Sequence, residues 1–142
     1  MPYNPSLPRQ STTGAGESHL QIEILEQFTD RPIDWGIWQI ETYLQKLEIA
    51  PHTRPAALIA RKVWQQVQRA TRCYPVVSVG ADNQVLFAWD YKEHHAEIEV
   101  FPDGHTEAFY LNMQTGETWD RDVDPGNILL SEFREYLQRC YR

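Results

Sequence analysis

The densest run of potential ligands is Asp120, Asp122 and Asp124, a D-x-D-x-D stretch followed by Gly126. Alternating carboxylates in a loop can wrap a hard cation such as calcium. The remaining loop positions do not fit. The sixth is Pro125, where glycine is needed for the sharp turn, and the twelfth is Ser131, with Glu132 one place late. The competing reading is an acidic turn before the last helix, where negative charge complements the helix N-terminus. A second group is His94, His95 and Glu97. Adjacent strand residues point to opposite faces, so His94 and His95 do not readily share an ion. His95 and Glu97 share a face but lack an obvious third ligand. Glu97 and Glu99 could act as an acid–base pair, although exposed acids on a sheet are common. Ser78 and Ser131 have no Gly-x-Ser-x-Gly context, and there is no glycine-rich phosphate loop or dinucleotide fingerprint. No cofactor is expected. Cys73 and Cys140 fit no zinc spacing. Free thiols in a reducing compartment are expected, with a Cys73–Cys140 disulfide as the less favoured alternative.

Charge is more informative than any motif. The net charge is −7, which disfavours nonspecific nucleic-acid binding. Residues 82–124 hold eleven acids and only two bases, Lys92 and Arg121, for a local charge of −9. The rest of the chain is +2. Glu97, Glu99 and Glu107 fall on one side of the expected sheet, with Leu86, Phe109 and Leu111 among them. A solvated outer face explains such acids without any function. Apolar residues among charges are also what a specific interface looks like. The opposite sign gathers at Arg54, Arg61, Lys62, Arg69 and Arg72, which lie within about 100° of arc on one helix. That helix side reads as a solvent face, as a site for an acidic protein or phosphate, or as one half of a head-to-tail self-association with the acidic sheet.

The elements that position these groups follow from periodicity. Residues 1–18 are rich in Pro, Ser, Thr and Gly and are expected to be a disordered tail. Residues 19–28 fit either a strand or a helix. Ile37, Ile40, Leu44 and Leu47 make an apolar stripe that predicts a helix over 34–49, capped by Asp34 and ended by Pro51. A second helix is predicted over 53–72, with Thr53 as cap, Pro55 in the first turn, and Ala56, Ile59, Val63, Val67 and Ala70 inward. The period then changes to two. Strands are predicted at 75–79, 85–89, 96–100 and 106–111, with at most a short extra strand at Thr118–Trp119. A loop at 102–104 puts Ile98 opposite Ala108, and a loop at 91–94 puts Phe87 opposite Ile98 and Asp90 opposite His95. Both loops send the same apolar set to one face, and a slip of one residue would turn that set outward. A final helix is predicted over 128–141. The fold class is α+β: two or three N-terminal helices, a four-stranded antiparallel meander, and a C-terminal helix packed on one sheet face. Residues 19–142 are expected to form one domain.

Val85-Leu-Phe-Ala-Trp89, Ala96-Glu-Ile-Glu-Val100, Asp103-Gly104 and Phe109-Tyr110, preceded by the helix from Pro55 to Ala60, resemble a class of short bacterial proteins. Those carry a Pro-Ala helix before an antiparallel meander containing Trp. The likeness covers residues 53–111 and implies a fold but no activity. By association, it implies an accessory or antitoxin-like partner role.

The leading expectation is a non-catalytic protein-binding module, such as an inhibitor, an antitoxin-like protein or an assembly or accessory factor. Its acidic sheet face, around Glu97, Glu99, Glu107, Phe109 and Leu86, would bind a partner with a basic surface. One alternative is a small metal- or ligand-binding enzyme with its site near Asp120–Asp124 or His94–His95. Another is an anionic DNA mimic. No run approaches the ~20 apolar residues that span a bilayer, and the N-terminus lacks the apolar stretch of a secretion signal, so a cytoplasmic location is expected.

Overall fold

The computed structural model describes residues 36–128 and 131–140. The expected tail at 1–18, the ambiguous segment 19–28 and the Asp34 cap lie outside the described residues. The first described helix, α1 (Ile37–Ile49), buries Ile40, Leu44 and Leu47. Its first turn is closed from within: the Gly36 N–H donates to Gln39 Oε1 at 2.8 Å, which satisfies one of the donors a helix start leaves over. Helix α2 (Arg54–Ala70) buries Ala56, Ala57, Ala60, Val63, Trp64 and Val67. Its stripe therefore runs through Ala60 and Trp64, while the expected inward residue Ala70 is exposed. Thr53 does not cap α2 with its side chain. Its backbone is already helical (φ −100°, ψ −14°), whereas a capping hydroxyl needs extended backbone to reach the second or third N–H. The hydroxyl instead donates back to the Leu47 carbonyl at 2.7 Å and ties the α1–α2 corner.

Five strands follow: β1 (Val76–Val79), β2 (Val85–Tyr91), β3 (His94–Val100), β4 (Thr106–Asn112) and β5 (Thr118–Asp122). They form one antiparallel sheet in the order β1-β2-β3-β4-β5. The expected register holds, with Phe87 opposite Ile98, Ile98 opposite Ala108, and Asp90 opposite His95. Strands β2 and β3 run further than expected, so the connection shrinks to Lys92-Glu93, with Lys92 in the left-handed region at φ +54°. The turn at Pro102–Gly104 forms as expected, with Gly104 at φ +97°.

The strand count corrects the four-stranded expectation. Strand β5 runs for five residues, and Asp120, Arg121 and Asp122 belong to it. Asp and Arg are poor signals for a strand because β propensity measures fit to a half-buried pleat. On an edge strand, however, such charges discourage unwanted pairing with another chain.

Helix α3 (Ser131–Arg139) is shorter than predicted. Trp119 of β5 stacks on its Phe133 and meets its Tyr136 at a tilt, with centroids 5.8 and 5.3 Å apart. Arg121 reaches its Glu132 at 3.1 Å. Helix α2 lies on β2 and β3, and α3 lies on β3 and β4. Between them is one core built from Phe87, Trp89, Ile98, Val100, Ala108 and Tyr110 on the sheet and the apolar stripes of the helices. The approach to α3 is anchored by Gln66 of α2. Its amide N–H donates to the Pro125 carbonyl at 2.5 Å, and its amide oxygen accepts the Ile128 N–H at 2.9 Å.

Candidate functional site on the outer sheet face

Alternation sends Leu86, Asp90, His95, Glu97, Glu99, Glu107, Phe109, Leu111, Asp120 and Asp122 to the sheet face opposite the core. Register sorts them into rows. Leu86, Glu99, Glu107 and Asp122 lie side by side across β2 to β5. Ala88, Glu97, Phe109 and Asp120 make the next row, and Asp90, His95, Leu111 and Thr118 the third. This face has two electrostatic zones, one buried and one open.

The buried zone centres on His95. Nδ1–H donates to Asp90 Oδ1 at 2.6 Å and Nε2–H donates to Glu97 Oε2 at 3.0 Å. A carboxylate only accepts, so holding both bonds requires the doubly protonated imidazolium. Burial works against that charge, but the hydrogen bonds to Asp90 and Glu97, with their negative charge, outweigh it and lift the imidazole to about 9. His95 is 2% exposed and Glu97 4%. Glu97 is therefore not part of an open acid surface, which corrects the expectation for it. A Glu is normally driven to solvent, and burial here comes with the imidazolium as countercharge. Leu86, another expected contact residue, is also buried at 6%. Neither can meet a partner directly. With both ring nitrogens committed to carboxylates, His95 is neither a free base nor a free ligand. His94 points the other way, toward the Tyr110 hydroxyl at 2.7 Å, so the two histidines share no site.

The open zone lies along β4 and β5. Glu107 keeps 44% of its side chain exposed and Asp122 keeps 79%. Asp120 is exposed, and Phe109 and Leu111 are half-buried. Glu99 is half-buried and accepts a hydrogen bond from Gln84 Nε2 at 2.9 Å. His105, just before β4, places Nε2 2.6 Å from Glu107 Oε2 and 3.5 Å from Asp122 Oδ1. The hydrogen bond to Glu107 is the main reason its imidazole is raised above the ordinary range.

No family model matches the chain, and neither curated proteins nor solved structures give a match. Function must therefore be argued from the site itself.

The D-x-D-x-D stretch is not one loop. Asp120 and Asp122 sit on β5, while Asp124 accepts the Gly126 N–H at 3.0 Å in the turn that follows. Sequence reasoning does not bring His105 together with Glu107 and Asp122. The available signal is the alternation His105-Thr-Glu107, but Asp122 becomes a neighbour only if β5 extends past Trp119 to Asp122. The basic helix side is also partly committed. Arg61 pairs with Glu48 and lies 3.5 Å from Glu41, both on α1. Arg54 donates to the Glu48 carbonyl at 3.0 Å. The countercharges of Arg61 are therefore on the preceding helix, to which Arg54 is tied through a backbone carbonyl, whereas Lys62, Arg69 and Arg72 stay exposed. Among the described residues, no helix is long and apolar enough to cross a membrane.

Proposed function

We propose that this chain is a non-catalytic protein-binding module of the inhibitor, antitoxin-like or accessory-factor type. Its contact surface is the outer side of β4 and β5, shifted toward the sheet edge from the surface centred on Glu97. The observation that carries the reading is the register of those two strands. Phe109 sits opposite Asp120, Leu111 opposite Thr118, and Glu107 opposite Asp122. Two half-buried apolar side chains are thus bordered by exposed carboxylates on a rigid strand pair. That pattern suits a partner offering lysines or arginines around an apolar contact, where charge sets encounter rate and the apolar residues hold the complex.

The test is affinity capture with the natural chain and with the Asp120→Lys/Asp122→Lys variant at low and moderate salt. The reading expects a discrete basic protein that the natural chain retains, that salt releases, and that the charge-reversed chain does not capture. The same proteins captured equally by both chains would refute the assignment of this surface.

A further inference from the structure

Three features offer chemistry beyond the protein-binding reading. The Tyr110 hydroxyl lies 2.7 Å from His94 and 3.4 Å from Arg139, but Tyr110 is fully buried and packed into the core, and its polar contacts close a local network. Ile49 and Leu58 are exposed on α1 and α2, with nothing to say what would cover them. The third candidate is the trio around the β3–β4 hairpin. His105, Glu107 and Asp122 each offer one ligand atom, and these atoms all lie within 4.8 Å of one another.

We propose that His105, Glu107 and Asp122 form a surface site for one divalent transition-metal ion of the zinc class. The donor set is one imidazole nitrogen and two carboxylate oxygens. Calcium and magnesium favour oxygen-only shells, whereas imidazole with carboxylate suits zinc, cobalt or nickel. Three protein ligands leave the remaining coordination positions to water or to an outside group, which is the open form of a zinc site.

The positions of the donors are fixed by the fold. Glu107 and Asp122 are directly opposite on paired strands, and His105 precedes Glu107 by two residues, on the same side. The residue is also tied into the hairpin turn. The His105 backbone N–H donates to Asp103 Oδ1 at 2.9 Å, and the imidazole centroid lies 5.6 Å from that of the Phe101 ring. Glu107 is flanked in register by Glu99 as well as Asp122. Like charges directly across a sheet are destabilising, so a divalent cation at this spot relieves a repulsion built into the register. This site does not depend on the protein-binding reading and can be measured on the isolated chain.

The experiment is calorimetric titration of the full chain with zinc chloride at neutral pH, repeated with cobalt to read its visible absorption. The expected result is one ion per chain, with binding weakened at least tenfold by His105→Ala and comparably by Glu107→Gln or Asp122→Asn. All three side chains are at the surface, so the metal-free variants should melt as the natural chain does. Asp120→Asn serves as the control and should bind as the natural chain does. Absence of binding would overturn the site. So would an affinity left unchanged by His105→Ala, since it would place the ion on other ligands.

Discussion

At the scale of single residues, His95 is a buried group whose chemistry lies far from its ordinary behaviour. Its imidazole is lifted from 6.5 to about 9 in the folded chain. A raised value means that the folded state holds the proton more tightly than the unfolded state does. The resulting stabilisation is complete below pH 6.5 and is lost as pH climbs through 9, with a total on the order of 3 kcal/mol at 1.36 kcal/mol per unit. Urea unfolding between pH 6.5 and 9.5 should show that decline. His95→Leu alone should cost about 3–5 kcal/mol, because it strips Glu97 of a buried countercharge. His95→Leu with Glu97→Leu should regain most of the loss and flatten the pH profile in that window. A double variant as unstable as the single one would show that the imidazolium is not what makes burial of Glu97 tolerable. The ingredients of this cluster were legible in the sequence, since the hairpin register already sets Asp90 opposite His95 and alternation puts Glu97 beside it. Its burial was not, because a Glu among acids on a sheet face is ordinarily solvated.

At the scale of elements, the strands were easier to read than the ends of the helices. Strict alternation in Ala96–Val100 and two independent turns define the register of β2, β3 and β4, and one error in either turn would have reversed every side chain. The sequence signals only the start of strand β5, because Asp120-Arg-Asp122 carries the charges of an edge and not the β-branched residues of a strand interior. Thr53 has the side chain of a cap without the backbone angles of one, which residue type does not reveal. Gln66 shows a connection that no local pattern encodes, since its partners Pro125 and Ile128 are about 60 residues away. It ties helix α2 to the segment leading into α3. Gln66→Ala leaves the Ile128 N–H and the Pro125 carbonyl without that partner and should cost about 1–3 kcal/mol. Hydrogen exchange is the sharper measurement: the Ile128 amide should exchange much faster in the variant, while amides of β3 change little. Unchanged protection at Ile128 would mean the amide bridge does not hold this segment.

At the scale of the whole molecule, charge is segregated by layer. The sheet segment is strongly negative, and the helix α2 beside it is basic, with Arg61 neutralised by α1 instead of by the sheet. Both sheet edges are short, and β5 carries Asp120 and Asp122 outward, so self-pairing along that edge would bring carboxylates together. Replacing both with Val should convert β5 into an attractive edge. Sedimentation velocity at matched concentrations should then show more self-association for Asp120→Val/Asp122→Val than for the natural chain. An identical distribution would mean that the carboxylates do not guard the edge. The Asp90–His95–Glu97 contact also bears on how the hairpin finds its alignment. Sliding β3 along β2 by two positions keeps every greasy side chain facing inward, so hydrophobic pattern alone cannot reject that misfold. In such a slid ribbon Asp90 would meet Glu93 or Glu97, acid against acid, where the native alignment gives it an imidazolium. That ionic contact thus works with the turn to separate the true alignment from its nearest impostors.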